Sequence, residues 1–470
     1  ANHGSDFDSD NQNNGSPDQR LQGTRTVATS GTIKFEDVRR INYFFDNYQA
    51  VNEKHQLSDY QQYLGEAYFF RGLIYFNLLK SYGDIQILTT ELGTSSPELY
   101  NPRDPRNQVA DFIIGQLDSA ALYLSAEKTS GAARLNRWMA LLIQSRVALY
   151  EGTWEKYHNG TAFGVAQANP QKYIQKAAQA AKEVIESGIY SVYSNGKPDE
   201  DYKDLFAALD YTTNSEVMFW RKYDNELTKG SGTFTNDRFF RMETPSNKSI
   251  TKELADAYLC NDGNPIAGNS LFQGYSNVEE EAKNRDPRFY QTIARPQDVW
   301  KVQTSGKVDL YTGLYNQLNT TGDLNAPTGY VIQKGYNPNM QYHVQQYEES
   351  PGLVYRYAEV LLNYAEAKAE LGEISQEDLN ISIKPLRDRV GMPNLVLADI
   401  AADPNWDFPA LTAVINELRR ERRVELAGEG LRWDDIARWA AADELIIGKR
   451  PKGFQAAQID KNPFPIDEDG

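Results

Sequence analysis

The chain is short of sulfur, of histidine and of positive charge. One cysteine, Cys260, in 470 residues excludes a disulfide framework and any cysteine-rich metal site. Four histidines (His3, His55, His158 and His343) are scattered, with no metal-ligand spacing. Lys and Arg number 49 against 65 Asp and Glu, a net charge of -16. That balance argues against a nucleic-acid surface, whose affinity comes from clustered Lys and Arg. No apolar run reaches the roughly 18 residues of a membrane span. G-x-S-x-G, H-E-x-x-H and Gly-rich phosphate loops are all missing. The cysteine usage fits the cytosol, or an exported protein without disulfides. The opening ANHGSDFDSD has no hydrophobic leader, as expected once a signal peptide has been removed.

What the chain does have is aromatic residues: 29 Tyr and 7 Trp against 5 Met. Residues 1–32 are rich in Asn, Asp, Ser, Gly and Thr and lack apolar periodicity, which predicts a flexible arm. Within it, Asp6, Asp8 and Asp10 are spaced like the start of a calcium loop. The pattern fails at Asn11, where glycine is required, and at Pro17, where glutamate is required.

From Phe35 the periodicity is helical. EDVRRINYFFDNYQAV reads as a first helix. A second opens at Ser58 with Gln61 as a capping box and carries the stripe Leu64, Tyr68, Tyr75, Leu78 and Tyr82. Ala67 and Gly72 are small enough to admit a neighbouring helix. Further helices are predicted near 105–125, 134–151, 170–187, 354–371, 376–389, 409–428 and 431–446. Between 190 and 350 Gly, Asn, Pro, Thr and Tyr dominate, and only TKELADAYL (251–259) reads as a helix. Helical pairs flanking a loop-rich middle suggest tetratricopeptide-like stacking.

RRERRVELAGEGLRWDDIARW, from Arg419 to Trp439, puts four arginines into five residues. On one helix Leu411, Leu418 and Glu425 recur every seven residues, as do Ile415, Arg422 and Glu429. The apolar stripe therefore runs into charge, and charge facing a core must be paired. Arg422 is expected to be buried against Glu425, Glu429 or an acid of a neighbouring helix. Arg420 and Arg423 face elsewhere, and Asp434 is placed for a surface pair with Arg438. Gly428 and Gly430 supply a tight corner. A solvated charged face is the plainer alternative, and phosphate binding the last.

That stretch resembles the C-terminal signature of the SusD/RagB family, outer-membrane nutrient-binding lipoproteins of Bacteroidetes. LGEAYFFRGLIYFNLLKSYGDIQIL, ALYEGTWEKYH, TKELADAYLCNDGNPI, RDPRFYQTI and YRYAEVLLNYAEAKAELGE are similar to further blocks of the family in the same order. NPFPIDEDG is similar to its closing Pro-Ile-Pro segment, with Asp467 at the second proline. The resemblance spans about 35–466. It implies a mainly α fold: a tetratricopeptide-like right-handed helical scaffold (33–189 and 351–446) with a loop-rich ligand lobe (190–350), in one domain from 33 to 470. The missing motifs imply a non-catalytic protein without cofactor or metal, and the resemblance implies a lipid anchor at the outer-membrane surface. That protein would hold an oligosaccharide, or an oligopeptide, for a TonB-dependent transporter of the SusC type.

Ligand residues do not transfer by motif and are argued from chemistry. Flat rings with few rotors suit the C–H face of a sugar. Tyr68, Tyr75, Tyr357 and Tyr364 are spaced as core, and Trp154, Trp433 and Trp439 lie in scaffold blocks. The remaining candidates follow RDPRFYQTI: Trp300 first, then Tyr311, Tyr315, Tyr330 and Tyr336, among Asn316, Asn319 and Asn337. Tyr100, after Tyr82-Gly83-Asp84, is a second-tier candidate, on a loop that reaches the site in the family. Such aromatics also serve simply to pin long loops to a scaffold. A glycoside hydrolase, which needs only two suitably spaced carboxylates, is the alternative of a different class, and a pure protein–protein adaptor is a third. His158, near a helix end, is read as structural, and Cys260 as a small core residue.

Overall fold

The computed structural model describes residues 6–7, 9–13, 19, 22–26, 33–128, 134–223, 249–312, 325–343 and 350–459. Tyr315, Asn316 and Asn319 lie outside the described residues.

The scaffold is a stack of antiparallel helices: Leu57–Tyr82, Arg106–Tyr123, Arg137–Tyr157 and Pro170–Glu186, each packed on the next. Tyr357–Glu370 packs on Pro170–Glu186 and then receives Gln376–Arg389 and Ala413–Glu425, so the C-terminal helices continue the stack. The helices start where side chains can accept orphan amides: Asn136 takes Met139 N, and Asn169 takes Lys172 N ahead of Pro170. Ser375 and Asp378 form a reciprocal capping box. The expected box at Ser58 and Gln61 is instead made two residues earlier by Gln56 and Asp59. Close approach is set by small residues. A Cβ on Gly72 would sit 3.2 Å from Leu117, and one on Gly152 only 2.6 Å from Ile174.

Leu64 and Tyr75 are buried as the stripe predicts, while Tyr68 and Leu78 are half-buried and Tyr82 is exposed. Tyr357, Tyr364 and Trp439 are core, and Trp154 and Trp433 are partly buried against core clusters. His158 caps its helix end, with Nε2 2.8 Å from the Ala437 carbonyl and its ring stacked on Trp154. Cys260 is fully buried.

The lobe leaves the scaffold through Val217–Arg221 and returns through Gly352–Arg356, and these strands pair antiparallel, tying the ends of the insertion together. The lobe holds more helix than its composition suggests. Besides Lys252–Ala257 there are Val278–Ala282 and Arg288–Thr292, and Asp201–Ala207 lies just ahead of the outgoing strand. Elements of five to seven residues are too short to show a 3.6-residue period. The predicted 431–446 helix is two pieces, Arg432–Arg438 and Ala442–Leu445, separated by Ala440 at φ 52°.

The arginine-rich stretch is an interior ion-pair network. Arg422 is buried and donates to both oxygens of Asp435 (3.0 and 2.9 Å) and to Asn363 (2.8 Å), so its partner is the acid of a neighbouring helix. Glu425 accepts from Arg288, Arg356 and Arg389 at 2.6 to 3.0 Å, and these three cations pull its carboxyl far below the usual range. Arg423 is buried, contrary to its off-stripe position. Asp434 pairs with Lys80 at 2.8 Å, not with Arg438, which forms a fork with Glu366. Arg420 pairs with Asp403 and Glu417. With its guanidinium groups held by carboxylates inside the protein, the stretch offers no phosphate site.

The arm departs from expectation at its first described residues. Asp6, Ser9, Asp10, Asn11 and Gln12 are at most 8% exposed, and Gln12–Asn13 pairs antiparallel with Ser249–Ile250. Asp10 forms a fork with Arg432 and reaches Arg423, while Asp6 accepts from the Gly428 and Gly430 amides. Polar composition predicts a tether, but here each polar group meets a fixed partner. Asp6 and Asp10 of the calcium-like spacing are consumed by these bonds, Asp8 lies outside the described residues, and no cluster of three metal-ligating groups exists among the described residues.

Candidate functional site

The lobe segment that carries the sequence candidates folds as a hairpin, Val299–Val302 paired with Val308–Leu310. Beneath it lies an apolar cluster of Val278, Ala294, Tyr311, Ala326, Val331 and Tyr336, with Trp300 packed on its edge. Trp300 is only partly buried. Its backbone carbonyl accepts from the Tyr336 hydroxyl at 2.6 Å, and its ring meets Tyr311 edge-on at 6.3 Å. Lys301 Nζ stands 4.7 Å from the Trp300 ring centroid, and Trp300 Nε1 makes no hydrogen bond among the described residues.

Three of the six candidates are therefore packing residues. Tyr311 and Tyr336 are almost wholly buried under the hairpin. Tyr330 is fully buried elsewhere in the lobe: its hydroxyl sits 2.9 and 3.0 Å from the two Glu281 oxygens and its ring packs against Phe454. Burial and the Glu281 charge push the Tyr330 phenol well up. A buried tyrosine with a satisfied hydroxyl presents no face to a ligand. Asn337 is likewise spent on loop packing, donating to the Ala207 carbonyl at 3.0 Å.

Tyr100 is 85% exposed at the end of the turn Pro97–Tyr100. No hydrogen bond or ring contact joins it to Trp300 among the described residues. Sequence reasoning missed Tyr342. It is 39% exposed in the turn Met340–Tyr342, beside the hairpin, where Val302 N donates to the Pro338 carbonyl and Val302 bridges Asn339. In the polar run NPNMQYHV nothing but the tyrosine itself signals this.

Below the lobe, Lys334 is buried and donates to Tyr202, to the Ala427 carbonyl and to Glu429 at 2.7 to 2.8 Å. Burial lowers its ammonium to about 8. This lysine fastens the lobe to the arginine corner and points away from any open surface.

The architecture is a helical-repeat stack carrying a loop-built lobe, on which Tyr342 is the exposed aromatic among the described residues. The SusD family matches residues 215–465, and a family described as starch-binding, associating with the outer membrane, matches 7–149. The chain belongs to the SusD family. It is 23% identical over 407 residues to SusD-like protein P38 of Formosa agariphila, a match covering 82% of this chain and 68% of that protein. It is 24% identical to SusD-like protein P2 of the same organism over 381 residues, covering 81% of this chain and 66% of that one. Among solved structures, a SusD-like carbohydrate-binding protein of Bacteroides fragilis superposes with a TM-score of 0.69 at 20% identity, over 93% of this chain and 80% of that one. A laminarin-binding SusD-like protein does so at 0.57 and 20%, over 90% and 79%.

Proposed function

We propose that this protein is a non-catalytic glycan-capture protein of the outer membrane. In this reading it is lipid-anchored at the cell surface, holds an oligosaccharide on its loop-built lobe and hands it to a TonB-dependent transporter. The observation that carries the ligand class is the pair of aromatics on that lobe, the partly buried Trp300 and the exposed Tyr342. Both sit on a hairpin and turn braced from below by the Tyr311–Tyr336 cluster. Rings held rigid before binding lose little entropy when a sugar stacks on them. The carbohydrate- and laminarin-binding descriptions of relatives with this fold support the same ligand class.

Calorimetry against a panel of neutral glycan oligomers, laminarin fragments included, and of oligopeptides tests the reading. A glycan should bind, and Trp300→Ala should weaken it tenfold or more, about 1.4 kcal/mol. Peptide binding without glycan binding would replace the ligand class. Full affinity in both Trp300→Ala and Tyr342→Ala would move the site off the hairpin. Release of reducing ends from the panel would replace capture with hydrolysis.

A further inference from the structure

The buried arm segment occupies a groove with the chemistry of a peptide-recognition site. One wall is the corner after the arginine-rich helix, where Gly428 and Gly430 both have positive φ (75° and 78°) and aim their amides, either side of Glu429, at one carboxylate. Asp6 fills that nest at 2.8 and 3.0 Å and also accepts from Asn11 at 3.0 Å. The floor is a pair of buried guanidinium groups. Arg432 forks onto Asp10 at 2.8 and 2.7 Å, and Arg423 reaches Asp10 at 2.9 Å and the Asn11 side-chain oxygen at 2.7 Å. The other wall is strand Ser249–Ile250, with Thr251 donating through its amide to the Asn11 carbonyl and through its hydroxyl to the Asp10 carbonyl. Anion nest, guanidinium fork and strand edge together specify two carboxylates four residues apart, an amide side chain and an extended tail.

We propose that this groove is a peptide-binding site for an Asp-x-x-x-Asp-Asn segment, occupied by the chain's own residues 6–7 and 9–13, and that its occupancy orders the adjoining wall of the lobe. The link to the lobe is Ile250. It pairs with Gln12 on one side and bridges Tyr330 on the other, donating to the Tyr330 carbonyl at 3.0 Å, while the Thr328 hydroxyl donates to the Ile250 carbonyl. Displacing the arm uncovers two arginines and one edge of that strand at once. The proposal stands whether or not the lobe binds glycan.

The test uses the full chain carrying Asp6→Asn and Asp10→Asn, with hydrogen exchange as the readout. Amides at 249–251, 328–332 and 428–430 should exchange about tenfold faster than in the wild type, while helices 137–157 and 357–370 stay protected. A synthetic peptide with the sequence of residues 5–14 should restore protection in the variant. The same peptide with both aspartates as asparagine should not, and neither peptide should alter the wild type. Unchanged exchange at 249–251 and 428–430 overturns the proposal, as does failure of the wild-type peptide to restore it. If the double variant unfolds, Asn11→Ala decides: faster exchange confined to the same segments supports the groove, and uniform loss of protection overturns it. A wild-type dimer that the peptide dissociates would show the arm exchanged between copies and overturn occupancy within one chain.

Discussion

Asp10 and Arg432 meet through two parallel hydrogen bonds of 2.8 and 2.7 Å, although 422 positions separate them in the chain. The first described residues are thus bonded into the signature that marks the C-terminal third of the molecule. Arg423 adds a second cation, so Asp10, Arg423 and Arg432 form one buried ion cluster.

Arg422→Ala should be strongly destabilising. Its removal leaves Asp435 buried with Arg438 as its remaining cation and strips Asn363 of its donor, a cost of roughly 3–5 kcal/mol. Arg39→Ala breaks a solvent-facing pair with Glu91 and should cost under about 1 kcal/mol. Urea midpoints compare the two, and equal midpoints would contradict the interior network.

Acid should unfold this protein through its paired carboxylates. Asp10 and Glu366 are both held at about 2 against burial, Asp10 by Arg423 and Arg432 and Glu366 chiefly by Arg438. In the unfolded chain they titrate near 4. A depressed carboxyl contributes stability that is fully present above the unfolded value and is lost as pH falls toward the folded one. The melting temperature should therefore fall steeply from about pH 4 toward pH 2, and less steeply in Glu366→Gln.

Glu155 works in the opposite sense. Burial raises its carboxyl to about 7, and the Asn169 amide is its hydrogen-bond donor. Between pH 4.5 and 7 the unfolded chain ionises this group while the folded protein resists, so stability drains as pH rises through that window. Glu155→Gln keeps an acceptor for the amide. Its melting temperature relative to wild type should climb from pH 4.5 to pH 7, and a constant difference would refute the assignment.

Tyr330→Phe separates packing from ligand contact. It removes the hydroxyl shared by both Glu281 oxygens and should cost roughly 1–3 kcal/mol of stability. Glycan affinity measured by calorimetry should be unchanged. A loss of affinity at full stability would return Tyr330 to the binding surface.

The scaffold was legible because long helices repeat their apolar positions many times, and a stripe ending in Arg422 announced a buried guanidinium. Its partner was not legible, since Asp435 enters only after the Gly428–Gly430 corner has redirected the chain. Residues 6–13 read as a tether because composition averages over polarity and carries no trace of a partner four hundred residues away. The lobe tyrosines failed for a related reason. Tyr311 and Tyr336 lie on irregular backbone, where no period separates an inward ring from an outward one. The same reasoning put Tyr100 on a turn, where it is exposed, and Trp300 on a loop, where the structure has a partly buried strand residue.

Glu425 gathers Arg288 from the lobe, Arg356 from the returning strand and Arg389 from the helix before it, while Glu216 meets Arg356 and Arg389 from the outgoing strand. Five separate stretches must already be in place before this centre can close. Bonds that need so many stretches in place are expected to form late, so weakening them should hasten unfolding and leave the folding rate nearly untouched, which stopped-flow folding and unfolding rates of Glu425→Gln would check. On that expectation the corner is a kinetic clasp, one that sets how long a folded molecule persists more than how quickly one is made.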